Sequence, residues 1–283
     1  MSADLHIHST FSDGSMGARQ ICRAAKGAGL SAIALTDHDT EKSALFCEEN
    51  TFPGLRLIPG VEVSAFDPDR GRRVHLLYYY PHYKEEHLSY FKRMTEQRTE
   101  AARKIEEKLT VLYPAYDPAF TRTFLEKGCA PFKAHILRQL GHLGYTDGYY
   151  NEFYHRLFGK GGPCVAPVEY LDVWSALALF KSCGGAVVLA HPSVYHSMEL
   201  ARELAAKGLL DGVEIAHPRN TPEDKEELWK LVQKYDLLVT GGTDFHGQHA
   251  KTPRPIGTCV VSDEVCDVLR EISQKRNNSN CEK

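Results

Sequence analysis

Short apolar runs that each close on a polar or ionisable residue recur along this chain, and most lead into a stretch with helical spacing. That alternation is the rhythm of βα units on a parallel sheet, so it predicts an α/β fold. The runs place strands at 4–9, 32–38, 55–64, 73–80, 186–191, 212–217, 237–246 and 257–261. Helices are expected at 17–28, 41–49, 168–183, 198–207, 222–235 and 263–275. Eight strands in this order suggest a closed α/β barrel, a fold that commonly takes about 250 residues as one unit.

Between Pro81 and Pro167 the rhythm breaks. Residues 84–112 read as one long charged helix, and 131–143 and 151–158 as shorter ones. The expected organisation is therefore a catalytic barrel from 1–80 and 168–283, interrupted by a helical insertion at 81–167. Long insertions in such barrels sit over the strand ends that carry the site, so this one is expected to supply substrate contacts. The charge run between Lys92 and Lys104 is interleaved with Glu96 and Glu100, which by itself reads as a solvated helix face. The polar residues 274–283 are expected to fray.

Chemistry enters with His6-Ile7-His8, two imidazoles at i and i+2 that share one strand face and can close on one metal. The next strand alternates bulky Ile33 and Leu35 with a small face that ends at His38. The same parity places Glu62 with Gly60 and Ser64, and Asp244 with Gly242 and His246. His75 and His191 sit in apolar runs, each expected near a strand's carboxyl end. Burying so many ionisable groups unpaired would cost several kcal/mol for each carboxylate, a cost that divalent cations offset. Nitrogen and oxygen donors without thiolate suit Zn²⁺, Mn²⁺ or Fe²⁺ rather than Ca²⁺ or a cysteine site. Singly, a histidine in a strand is more often a hydrogen-bonded core residue; recurrence on matching faces is what favours metal.

Lys plus Arg number 34 against 37 Asp plus Glu, a formal net charge of −3. That balance gives no general attraction to nucleic acid or to an anionic membrane, so a small substrate and no stable nucleic-acid partner are expected. No stretch approaches the roughly 18 apolar residues of a membrane span, and the start lacks the pattern of an export signal. The eight cysteines show no Cys-x-x-Cys pair and read as reduced structural thiols of a cytoplasmic protein.

The motifs together resemble the PHP (polymerase and histidinol phosphatase) superfamily of metal-dependent phosphoesterases. They are Asp4-Leu5-His6-Ile7-His8-Ser9 with Ser12-Asp13-Gly14, Leu35-Thr36-Asp37-His38-Asp39, Pro59-Gly60-Val61-Glu62-Val63-Ser64, His75-Leu76-Leu77, Leu189-Ala190-His191-Pro192 and Gly242-Thr243-Asp244-Phe245-His246-Gly247. The resemblance implies a distorted (β/α)7 barrel, one strand fewer than counted above, with two or three divalent cations. It assigns His6, His8, Glu62 and Asp244 to one metal. Glu62 would bridge to a second, held by His75 and His191, and Asp13, His38 and His246 would hold a third. Asp13 stands where some members have histidine. The inserted segment resembles that of phosphatases acting on AMP or nucleoside 3′,5′-bisphosphates. By that likeness Arg98, Arg103, Lys133, His135, Arg138 and Lys160 are substrate-binding candidates, although Ala101 and Lys133-Ala134 depart from the relatives' arginines.

The implied reaction is in-line attack of a metal-bound hydroxide on a phosphate monoester. Asp37 and Asp39 are expected to orient the ligand imidazoles, and His196 or His217 to protonate the leaving alcohol. Rival activities are a histidinol-phosphatase-like reaction, a phosphodiesterase that trims RNA 5′ ends, and an amidohydrolase, whose barrels also begin with His-x-His. Outside catalysis, a degenerate metal- and nucleotide-binding scaffold would have lost ligands that this chain retains.

Overall fold

The computed structural model describes residues 1–281. Strand β1 (Ser2–Ile7) pairs in parallel with β2 (Ala32–Leu35), which pairs in parallel with β3 (Arg56–Asp67), through Ala3↔Ala32 and Ala32↔Arg56. Helices α1 (Ala18–Gly27) and α2 (Lys42–Glu49) make the first two crossovers. On β2 the alternation works as expected: Ala32 and Ala34 join the barrel interior, while Ile33 and Leu35 pack outward with Ile21, Cys22 and Cys47 of α1 and α2.

The parallel rhythm then fails at one strand. β3 is twelve residues long, and its upper half forms a hairpin with β4 (Arg72–Tyr79), with Gly60↔Tyr79 and Ser64↔His75 in antiparallel register. The turn residues Pro68, Asp69 and Gly71, the last at φ +62°, reverse the chain where a crossover helix was expected. β4 is also antiparallel to its other neighbour, β6 (Ala186–Leu189), through Leu76↔Leu189. From β6 the sheet continues in parallel to β7 (Gly212–Ala216) and β8 (Leu238–Gly241).

The segment after β8 returns to β1: the His8 amide donates to the Phe245 carbonyl at 2.9 Å, and the Asp244 amide to the His6 carbonyl at 2.9 Å. Gly242 permits that closure, since a Cβ there would stand 2.3 Å from the His6 nitrogen. The result is the distorted seven-stranded barrel. The eighth expected strand shrinks to β9 (Val261–Ser262), antiparallel to the lower end of β1 and outside the barrel. A two-residue strand not foreseen, β5 (Leu171–Asp172), adds to the upper part of β3.

Four helices fill the interruption: α3 (Glu85–Leu112), α4 (Ala119–Glu126), α5 (Lys133–His142) and α6 (Glu152–Phe158). Only α4 was unforeseen. Tyr90, Phe91 and Met94 of α3 belong to the barrel's outer core with Val74, Leu76 and Tyr78. Farther along, Ile105 and Leu109 join Ile136, Leu137, Leu140, Leu157 and Phe158 in a separate small core. Helices α7 (Val173–Lys181), α8 (Met198–Ala206) and α9 (Pro222–Tyr235) complete the shell.

The tail corrects an expectation. Instead of fraying from residue 274, α10 (Val265–Cys281) continues, because Arg276 makes a two-pronged pair with Asp211 at 2.7 and 3.0 Å; residues 282 and 283 lie outside the described part. Replacing Arg276 by alanine should cost about 1–3 kcal/mol, read as a fall of several degrees in melting temperature. An unchanged transition would show the pair to be ornamental. The cysteines with described side chains are free, and among the described residues no helix is long and apolar enough to cross a membrane.

Candidate metal centre

The nine residues expected as ligands converge at the barrel mouth. Glu62 is the hub and is 1% exposed. Its Oε2 lies 3.1 Å from His6 Nε2, 3.1 Å from His8 Nε2 and 3.3 Å from His38 Nδ1. Its Oε1 lies 2.7 Å from His75 Nδ1 and 2.9 Å from His191 Nε2. The two oxygens of one carboxylate thus face two different sets of imidazoles. Asp244 Oδ1 stands 3.3 Å from His8 Nε2 and 3.6 Å from His6 Nε2, while Asp13 Oδ1 meets His246 Nε2 at 3.3 Å and His8 Nδ1 at 3.8 Å.

Three overlapping groups of donor atoms are close enough to hold an ion: His6-His8-Glu62-Asp244, His38-Glu62-His75 and His8-Asp13-His38-His246. Proximity alone does not distinguish a metal site from a salt-bridge network, but the unsatisfied atoms do. His6 Nε2, His8 Nε2, His38 Nδ1 and Glu62 Oε2 are buried and have no hydrogen-bond partner despite their short separations. Buried donors and acceptors this close together without hydrogen-bond geometry are what a shared cation would satisfy.

The electrostatics agree. Burial would raise Glu62, yet the imidazoles of His75, His38 and His6 hold it well below the usual carboxylate range. Burial is likewise outweighed at Asp13, chiefly by His246 and His38, and at Asp244, chiefly by His6 and His246. His8 is driven up to about 10, against burial, by Asp244 and Glu62, whereas burial with His8 and His75 nearby drives His38 well down. A proton on His8 disfavours one on neighbouring His38.

β4 explains one misplacement. His75 was expected near a carboxyl end, but β4 runs the other way, so its early residues are the ones at the mouth. Arg73, two residues before His75 and on the same strand face, therefore also lines the cavity, and sequence reasoning missed it. Glu214 was missed as well, although a carboxylate inside Val213-Glu214-Ile215 was a readable signal. Fully buried, it takes a hydrogen bond from His6 Nδ1 at 2.9 Å and another from the His191 amide at 2.8 Å. The orienting role foreseen for Asp37 and Asp39 belongs by geometry to Glu214. Asp37 is occupied by the amides and hydroxyls of Ser9 and Ser12. Asp39 is occupied by Arg98, Tyr90 and the Ser64 amide. Glu214→Gln should weaken metal binding about 10- to 100-fold, measured by titration of the metal-stripped protein; unchanged affinity would deny Glu214 this part.

The substrate-side candidates separate. A cavity of about 910 Å³ opens over the cluster and is lined by Arg98 and Lys133, but not by Arg103, His135, Arg138, Lys160 or His196. Arg103 is exposed and paired with Glu100 and Glu107 on the solvent face of α3, and Lys160 is exposed too. His135 is buried flat against Phe124, with ring centres 3.8 Å apart, and burial lowers it to about 4. Arg138 lines a separate cavity of about 370 Å³. His196 is exposed, and its carbonyl accepts from Arg72. His217 is buried; its Nδ1 accepts from the Arg219 amide at 3.2 Å, which leaves Nε2–H to point at Asp244 Oδ2, 3.4 Å away. Neither histidine is placed to protonate a leaving group. Even Arg98 is committed, since its guanidinium pairs with buried Asp39 and covers the Phe132 ring at 4.4 Å.

Comparison with known proteins adds to this geometry. Phosphoribosyl 1,2-cyclic phosphate 1,2-diphosphodiesterase of Eggerthella lenta is 33% identical over 257 residues, spanning 89% of this chain and 97% of that one. A 5′-3′ exoribonuclease of Haemophilus influenzae is 29% identical (86% and 89%), and 3′,5′-nucleoside bisphosphate phosphatase of Chromobacterium violaceum 26% identical (96% and 96%). A crystal structure from Bifidobacterium adolescentis, assigned as a metal-dependent phosphoesterase, superposes with a TM-score of 0.81 at 28% identity, over 95% of this chain and 96% of that one. Fold, site and relatives define a metal-dependent phosphoesterase, a hydrolase of phosphoric esters. The chain belongs to the PHP domain family, whose model matches residues 4–207.

Proposed function

We propose that this enzyme hydrolyses the phosphate monoester of a small nucleotide carrying a second anionic group, such as a nucleoside 3′,5′-bisphosphate, with AMP a simpler substrate. The observation that carries this reading lies in the same cavity as the metal cluster. Among the described residues Lys133 has no carboxylate partner; its ammonium faces the rings of Phe158 at 5.4 Å and Tyr154 at 5.9 Å. Burial lowers it, and its charged neighbour is another cation, Arg73. Two like charges left facing one cavity are relieved by an anion. The aromatic rings beside them suit a nucleoside's apolar faces.

His6, His8, Glu62 and Asp244 would hold one cation, Glu62, His75 and His191 a second, and Asp13, His38 and His246 a third; manganese, zinc and iron all fit these donors. Bound there, such ions lower the pKa of water to about 7 in favourable sites and neutralise phosphoryl oxygens. The chain's own part is positional. Glu214 fixes the His6 ring, and Asp244, steadied by His217 and Arg219, keeps its other oxygen toward His6 and His8. Residues 1–80 and 168–283 act as the catalytic barrel, and 81–167 as the insertion that contributes the substrate wall.

Hydrolysis of AMP, a nucleoside 3′,5′-bisphosphate, histidinol phosphate, a ribosyl cyclic phosphate and 5′-phosphorylated RNA, with manganese supplied and the products separated chromatographically, tests the reading. The bisphosphate is expected to be the best substrate. Cleavage of diesters alone, the activity named for two of the relatives, would overturn it. Within it, Lys133→Ala should raise KM for the bisphosphate about tenfold or more and leave KM for p-nitrophenyl phosphate nearly unchanged. Equal effects on both would remove Lys133 from substrate recognition.

A further inference from the structure

Tyr150 is held in a conformation that a bulky residue rarely adopts. Its φ is +54°, in the left-handed region, on the residue just before the α6 N-cap, Asn151, whose side chain accepts from the Tyr154 amide at 3.1 Å. Such strain costs on the order of 1–3 kcal/mol and persists where the surroundings demand it. It delivers a phenol to the cavity wall, packed against the Tyr154 ring with centres 4.8 Å apart. The hydroxyl makes no hydrogen bond to any described protein group. Facing the cavity without a protein partner, its O–H is free to donate to a bound ligand.

The position selects the acceptor. The barrel floor supplies the metal ligands, and Lys133, Tyr154 and Phe158 form the wall where the rest of a substrate would lie. Tyr150 lines the same cavity as both groups, and its ring lies against that of Tyr154 on the insertion side. Were a phosphoryl group to seat on the cluster with its non-bridging oxygens toward the ligands, its ester oxygen would face the wall. We propose that the Tyr150 hydroxyl donates a hydrogen bond to the leaving-group oxygen of the scissile P–O bond, where charge accumulates as the bond breaks. This rests on the phosphoester reading above and adds to it the group that favours poor, alkoxide leaving groups, the place that His196 and His217 cannot fill.

The test is leaving-group dependence in the full chain loaded with manganese. Tyr150→Phe keeps the ring and removes the donor. Its kcat on a nucleoside monophosphate should fall about 10- to 100-fold, and at least tenfold more than on p-nitrophenyl phosphate, whose phenolate departs with little help. Manganese content and melting temperature should match the parent protein. Equal losses on both esters, no loss on either, or a loss of manganese would overturn the assignment. If the parent protein cleaves only diesters, the nucleotide reading fails, and the same comparison between a dialkyl and a bis(p-nitrophenyl) phosphate still decides the role of Tyr150.

Discussion

Replacing Glu62 by glutamine is expected to reduce phosphate release by about 10³-fold or more while the barrel remains folded. Glutamine matches glutamate in shape, so the neighbouring side chains lose little packing, but the one negative charge on which His6, His8, His38, His75 and His191 all converge disappears. Lewis-acid stabilisation of phosphoryl charge amounts to several kcal/mol, and about 4 kcal/mol corresponds to that loss of rate. Metal analysis and thermal melting of the same preparation separate the causes: bound metal should fall and the melting transition should remain. Chelation of the parent protein should reproduce the loss, with recovery on adding manganese. A Glu62→Gln protein that keeps both metal and turnover would remove Glu62 from the chemistry.

The second large effect is on stability. Arg98 was expected to reach for phosphate, but its guanidinium is paired with Asp39, a carboxylate 3% exposed that also accepts from the Ser64 amide. Arg98→Ala would strand that charge, and breaking a buried pair from one side typically costs about 3–5 kcal/mol. For a chain of this size the melting temperature should drop by about 10 °C. The double variant Arg98→Ala, Asp39→Asn should recover much of the loss, because no unpaired charge then remains. If the single variant melts normally and only KM changes, Arg98 is a substrate contact after all.

The sequence was most legible where one face of a strand repeats a chemical type. His6 and His8 two apart, and Glu62 and Asp244 on faces otherwise made of small residues, led to positions that the fold does bring together. Where burial redirects a side chain, the reading failed. Arg103 and His135 lie on helices at plausible spacings, yet one turns to solvent and the other into an aromatic stack, and nothing local marks the difference. Glu214 was passed over because a lone carboxylate in a strand looks like any other until its partner, 208 positions away in the chain, is known. Arg73 was hidden by strand direction. Only the reversal of β4 puts the residue two places before His75, rather than two places after it, at the cavity.

That same reversal governs how the insertion is held. β4 leaves the chain at the foot of the barrel, so α3 begins at the opposite end from the chemistry and must climb the whole wall to reach it. Twenty-eight residues at about 1.5 Å each span roughly 42 Å, and the first half is glued to the outer face of β4 through Tyr90, Phe91 and Met94. The cavity wall contributed by the insertion is thus mounted on a buttress rather than a flap, and ligands should enter and leave through a standing aperture without waiting for a lid to swing.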